Sequence, residues 1–244
     1  MWDQICKEGF QNYWGLEDCI VVADGSGSMY GTASGSTSIM AIEICDALAI
    51  YFAEQLKGVF HNKAITFSSR PRLIDLDKGK NLKEKLKIML ACNEVANTNI
   101  EAVFDMLLDM ALSNEVPAEE LPKQVLIISD MEFDEACSCN GWGGTMERWG
   151  RFNPTLFETI ERRYEQVGYR MPRLIFWNVC GRTNTIPKVD HEQGICLLSG
   201  FSPNAMKIAA DREKKDPYES LLQVLDSPRY EPVERALHSL SKCS

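Results

Sequence analysis

Short runs of consecutive apolar residues alternate along this chain with longer segments whose apolar residues recur every three or four positions. Residues 18–24 (DCIVVAD) form the first short run, closed by a Gly/Ser-rich turn, and read as a buried parallel strand. Residues 38–56 are apolar except at Glu43, Asp46, Glu54 and Gln55, which predicts a helix buried on most of its faces, with Gly58 as its stop. Residues 63–68 (KAITFS) and 72–76 (RLIDL) predict two short strands joined by a turn at Ser69-Arg70-Pro71. Residues 80–92 predict an amphipathic helix with Leu82, Leu86, Met89 and Leu90 on one side. Residues 98–113 predict another, capped by Thr98 or Asn97.

The second half repeats the pattern. Residues 124–130 (QVLIISD) predict a second buried strand, again ending in aspartate. Residues 131–152, with Cys137, Cys139, Gly141, Gly143 and Gly144, predict a long loop. A helix over 154–167 follows, opened by Asn153 before Pro154. Strands follow at 173–180 (RLIFWNVC) and 194–199 (GICLLS), then helical segments over 202–210, 217–225 and 230–240. Strand, helix, strand, helix predicts an α/β domain with a mainly parallel sheet and helices on both faces. Such sheets bind ligands where strands end, near the point at which strand order reverses.

A length of 244 residues suits one large domain with its own core. Residues 1–16 form an N-terminal extension and residues 17–244 the domain, C-terminal helical segment included. The net charge of −9 argues against nucleic-acid binding by this domain alone, because phosphate attraction needs a basic surface. The most apolar stretch, 39–52, is interrupted by Glu43 and Asp46 and falls short of the roughly 20 apolar residues a membrane span needs. The start, MWDQICKEGF, has no basic region followed by an apolar one, so no secretion signal is expected. The nine scattered cysteines therefore read as reduced thiols of a cytoplasmic protein.

Candidate chemistry gathers at the strand ends. Asp24-Gly25-Ser26-Gly27-Ser28 places one carboxylate and two hydroxyls within five residues. These hard oxygen donors suit Mg²⁺ or Mn²⁺, and the same segment also reads as a plain Gly/Ser turn. Thr98, before a later helix, and Asp130, at a strand end, offer two more oxygen donors.

Asp24-x-Ser26-x-Ser28, then Thr98, then Asp130 resembles the metal-ion-dependent adhesion site of von Willebrand factor A-type domains, with all five positions filled. The resemblance implies a doubly wound, six-stranded, mainly parallel sheet of Rossmann-like form, with one short antiparallel edge strand at 72–76. It also implies a metal centre. Ser26, Ser28 and Thr98 would touch Mg²⁺ (or Mn²⁺), and Asp24 and Asp130 would hold it through water. The open position would take an acidic group from a protein partner, so the expected function is non-enzymatic protein binding. Residues 129–134 (SDMEFD) and 229–233 (RYEPV) also resemble the C-terminal part of an uncharacterised intracellular family. Its members join a helical region to an A-type domain, as Ro-like ribonucleoproteins do.

Other readings stand beside this one. Glu132 and Asp134 are either carboxylates supporting the metal ligands or members of a solvated acidic loop. With Asp24 and Asp130 they could equip a Mg²⁺- or Mn²⁺-dependent hydrolase of phosphate esters or nucleic acid. A third reading is a scaffold domain docked on the helical region of a Ro-like RNA-associated protein. Cys137-x-Cys139 has no second paired motif to complete a zinc site. Trp142 and Trp149 are either interface anchors or core cover. Arg162, Arg163, Arg170 and Arg173, with Lys207, Arg212, Lys214 and Lys215, make two basic clusters that read as solvated helix faces or as a surface for an acidic partner. The chain has no G-x-S-x-G elbow, P-loop, H-E-x-x-H or G-x-G-x-x-G fingerprint, so the enzyme classes built on them are excluded.

Overall fold

The computed structural model describes residues 18–33, 38–68, 70–93, 99–130, 154–180, 188–190 and 195–199, together with 222, 231, 232 and 235. Seven strands make one mixed, mostly parallel sheet: β1 (Cys19–Ala23), β2 (Lys63–Thr66), β3 (Leu73–Asp75), β4 (Gln124–Ser129), β5 (Arg173–Asn178), β6 (Lys188–Asp190) and β7 (Ile195–Ser199). Their order is β3-β2-β1-β4-β5-β7-β6. Among the described residues, four α-helices accompany them: α1 (Ala41–Ala53), α2 (Leu82–Cys92), α3 (Ile100–Ser113) and α4 (Pro154–Gln166).

Strand alternation explains the two-sided core. Cys19, Val21 and Ala23 of β1 face α1 and α2, while Ile20 and Val22 face α3 and α4. In β4, Leu126 and Ile128 join the first cluster and Val125 and Ile127 the second. In β5, Ile175 and Trp177 take the first side and Leu174 and Phe176 the other. Both faces are covered, so these strands read as continuous apolar runs rather than alternating ones. Tyr164 of α4 ties its face together by donating its hydroxyl to the Phe104 carbonyl of α3 at 2.7 Å.

The expected edge strand is present: β3 pairs antiparallel with β2. A second antiparallel edge was not expected. β6 pairs with β7, so the sheet has seven strands among the described residues rather than six. Three residues with two charges give no apolar run to read, and only pairing with Leu197 and its neighbours makes them a strand.

Helix boundaries and faces differ in three further places. The first helix stops at Ala53, ahead of Gly58. Ala53 packs on one face of the sheet and Leu56 on the other, so the chain must leave the helix between them. Gly58, at φ +58, instead opens the short turn that follows. The cap of α3 is Asn99, whose side chain accepts from the Ala102 N–H at 3.1 Å, rather than Thr98 or Asn97. On α2, Met89 is buried and Leu82 and Leu86 pack on the core, but Leu90 is 55% exposed. Lys85 takes the inward position, its stem buried and its ammonium donating to Glu54 at 2.8 Å and Asn62 at 2.9 Å.

Arg163 from the first basic cluster is structural as well, bonding Asp105 at 2.8 Å and Glu101 at 2.7 Å and so joining α4 to α3. Arg162 pairs with Glu158 on its own helix. Lys207, Arg212, Lys214, Lys215, Cys137, Cys139, Trp142 and Trp149 lie outside the described residues. No described helix is long and apolar enough to cross a membrane.

Trp177 is fully buried, with its ring 6.5 Å from that of Phe52. Truncating Trp177→Ala is expected to cost about 3–5 kcal/mol. Leu90→Ala, on the exposed side of α2, is expected to change stability by less than about 0.5 kcal/mol. Urea unfolding of both variants measures the contrast.

Candidate metal centre

The carboxyl end of β1 lies where the sheet changes direction. From β1 the chain crosses through α1 to β2 on one side, while β4 crosses through α4 to β5 on the other side and over the opposite face. The crevice between the ends of β1 and β4 is thus the switch point of the fold. Ala23 pairs with Ile128, so the next residues, Asp24 and Ser129, emerge side by side.

Asp24 is only 2% exposed, and both carboxylate oxygens are engaged. Oδ1 accepts from the Ser26 N–H at 2.9 Å, and Oδ2 accepts from the Ser129 hydroxyl at 2.6 Å. Its main-chain N–H donates to the Ile128 carbonyl at 3.1 Å. Burial raises the Asp24 pKa, the bonds from Ser129 and Ser26 pull it partly back, and the charge of Asp130 adds to the rise.

The loop after Asp24 turns tightly. Ser26 leads into a single 3-10 turn over Gly27–Tyr30, and its hydroxyl caps no backbone N–H there. That hydroxyl instead lies 3.1 Å from the Ser28 hydroxyl, with both residues half-buried. Two ligands in adjacent positions of an octahedral Mg²⁺ site, each about 2.05 Å from the ion, sit about 2.9 Å apart. The spacing of the two hydroxyls therefore fits one small cation touching both.

Met29 anchors the loop from below. It is completely buried, and its thioether accepts the Asp130 N–H at 3.1 Å. Asp130 is buried as well, at the end of β4. Asp24, Ser26 and Ser28 are thus linked within one loop, and Asp130 meets that loop at Met29. Thr98, Glu132 and Asp134 lie outside the described residues. Asn99, next to Thr98, donates its N–H to the Ser68 carbonyl just beyond β2 at 3.3 Å. Among the described residues, no three His, Cys, Asp or Glu side chains form a metal-holding group by themselves.

Several contributors were not singled out from the sequence. Ser129 is one; a serine at the end of an apolar strand gives no signal until β1 lies beside it. Cys45 of α1 is another, donating its thiol to the Ile128 carbonyl at 3.5 Å. Burial, then the charges of Asp46 and Asp24, push the Cys45 thiol well above its ordinary pKa. Asp46, on the same helix, is also only 2% exposed. Burial pushes its pKa up to about 7, and the Asn93 side chain offsets part of that rise. Asn93, at the end of α2, sits against Gly25, where an added Cβ would fall 2.8 Å from the Asn93 Cα.

Residues 18–236 match the family described as "Domain of unknown function (DUF7788)". The chain belongs to this family. This DUF7788 domain is similar to the Uncharacterized protein L728 of Acanthamoeba polyphaga mimivirus, at 30% identity over 233 residues, covering 95% of the chain and 37% of that protein. It is also similar to the crystal structure of the Deinococcus radiodurans Ro (RSR) protein, with a TM-score of 0.49 and 16% identity, covering 82% of the chain and 36% of that one. The chain spans little more than a third of the length of either protein.

Two outcomes are expected of this DUF7788 domain. Gly25→Ala pushes a Cβ into the Asn93 backbone, which cannot swing away as a side-chain tip would, so a lower melting temperature is expected on thermal unfolding. The second concerns pH. Asp46 binds its proton more tightly when folded than when unfolded. Its contribution is therefore fully present below about pH 4 and is lost as pH rises through about 7. Over that window the group costs up to roughly 4 kcal/mol. Asp46→Asn should flatten this fall, as measured by denaturant unfolding at pH 5 and pH 8.

Proposed function

We propose that this domain is a divalent-cation-dependent protein-binding module. Ser26, Ser28 and Thr98 would hold Mg²⁺ or Mn²⁺ directly, and Asp24 and Asp130 would hold it through water. An acidic group of a partner protein would take the remaining position. The observation that carries this reading is the pair of hydroxyls 3.1 Å apart, beside a buried carboxylate at the switch point of the sheet.

The bound cation supplies Lewis acidity and charge; the chain's residues do the positioning. The Ser26 N–H and the Ser129 hydroxyl each donate to one oxygen of the Asp24 carboxylate, which fixes its orientation and leaves further lone pairs for water. Met29 holds the loop against the end of β4 through the Asp130 N–H, so the two halves of the crevice keep their spacing. The Ser26 hydroxyl is not used in helix capping and lies 3.1 Å from that of Ser28. Binding of this kind breaks no covalent bond and needs no nucleophile. We further propose a cytoplasmic setting, in keeping with the free thiols Cys19, Cys45, Cys92 and Cys180 among the described residues.

Thermal melts with increasing MgCl₂ or MnCl₂ test the reading. Cation binding to the folded state adds about 2.7 kcal/mol of stability at 100 times Kd. The expected result is a saturable rise in melting temperature for the wild type, lost in Ser28→Ala. With Mn²⁺ present, a peptide carrying a free glutamate should bind where its glutamine counterpart does not, and EDTA should release it. Equal binding of both peptides overturns the carboxylate-holding role.

A further inference from the structure

Asp46 occupies the second turn of α1, where the surrounding helix positions are apolar core. A leucine or alanine there would favour both the helix and the packing. Instead the position holds a carboxylate that is almost fully buried, and its Oδ1 has no hydrogen-bond partner. No ion pair reaches it among the described residues. A buried acid with only a neighbouring amide to ease it is costly, and the fold gains nothing from it by itself.

Its neighbour shares the peculiarity. Asn93 stands beside Asp46 and its side chain eases the burial of the carboxylate, yet its amide Nδ2, like Asp46 Oδ1, makes no hydrogen bond of ordinary geometry. Asn93 closes α2 and is also the wall of the loop: a Cβ on Gly25 would lie 2.8 Å from its Cα and 3.0 Å from its Oδ1. A chain of contacts thus runs from Asp46 to Asn93, to Gly25, and so to Asp24 and Ser26 on either side. Cys45 marks the same proximity from the other direction, since its thiol is affected by the charges of both Asp46 and Asp24.

We propose that Asp46, acting through Asn93, is a positioning residue of the cation site, its buried carboxylate setting negative charge behind the loop and holding Asn93 as the wall against Gly25. The proposal rests on the cation-binding reading above. Without a cation the buried carboxylate is eased only by Asn93; with one, its charge would find a counter-charge across Asn93 and the loop. The arrangement resembles the outer partners of metal ligands in general, whose loss weakens metal affinity without removing a ligand. Asp46→Asn keeps the shape of the side chain and removes the charge.

Calorimetric titration of MgCl₂ at pH 8 into the wild type, Ser28→Ala, Asp46→Asn and Asn93→Ala tests this, with the metal-free melting temperature of each measured alongside. Asp46→Asn is expected to melt higher than the wild type without metal and yet to bind Mg²⁺ about 10- to 100-fold more weakly. A merely structural role does not give opposite changes in the two readouts. A Kd within twofold of the wild type overturns the positioning role, whatever the melting temperature does. Should Asp46→Asn fail to fold, Asn93→Ala decides: weakened binding supports the role and unchanged binding overturns it. Absence of Mg²⁺ binding in the wild type, or binding that survives Ser28→Ala, overturns the cation reading itself. Binding lost in Ser28→Ala but unaltered in Asp46→Asn overturns only the role of Asp46.

Discussion

A carboxylate buried at the end of a central strand must find hydrogen-bond donors, and the fold around Asp24 is arranged by that need. It is only 2% exposed, so most of the cost of burying its charge falls on the donors the protein supplies. One is the Ser26 N–H, which curls the loop back over the strand end. The other is the Ser129 hydroxyl, which is available only because β1 and β4 are paired in register. The local turn and the long-range strand pairing thus answer the same electrostatic demand. Met29 completes the closure by accepting the Asp130 N–H from inside the core.

The sheet makes this arrangement rigid. β1, β4 and β5 carry apolar side chains on both faces, covered by α1 and α2 on one side and α3 and α4 on the other. Cores of this kind are packed at crystal-like density and resist small displacements. The strand ends are therefore fixed relative to one another. The loop between Asp24 and Tyr30 is short and pinned at both ends, so the positions of Ser26 and Ser28 follow from the sheet. A site built on strand ends keeps its geometry better than one carried by a free loop.

Two kinds of buried polar group meet at this edge. Asp24 is satisfied by protein donors, whereas Asp46 and Asn93 each bury a polar atom that is not. Native folds keep few such atoms, and each one asks for a reason. The proposed cation-dependent role gives one reason for both groups: negative charge set behind the loop that carries Ser26 and Ser28. Asp46 and Asn93 belong to different helices, so this feature of the crevice is assembled from three separate stretches of chain.

Much of the fold was legible in the sequence because buried parallel strands are apolar throughout and end sharply. The runs at 18–24, 124–130 and 173–180 mark β1, β4 and β5, and the acid closing each of the first two marks the carboxyl edge. The D-x-S-x-S spacing was legible for the same reason: residues so close in sequence have little freedom to be far apart in space. What the sequence left open involves partners distant along the chain. β6 is a strand only because β7 lies beside it, and Leu90 turns to solvent because Lys85 finds Glu54 and Asn62. Ser129, Asp46 and Asn93 look ordinary until tertiary packing brings them to Asp24 and Gly25. Period and turn chemistry act over a few residues, so the sequence alone determined the elements, their order and the loop that carries the hydroxyls. Burial and hydrogen-bond satisfaction depend on what arrives from elsewhere, so only the tertiary structure decided which polar groups sit beneath that loop.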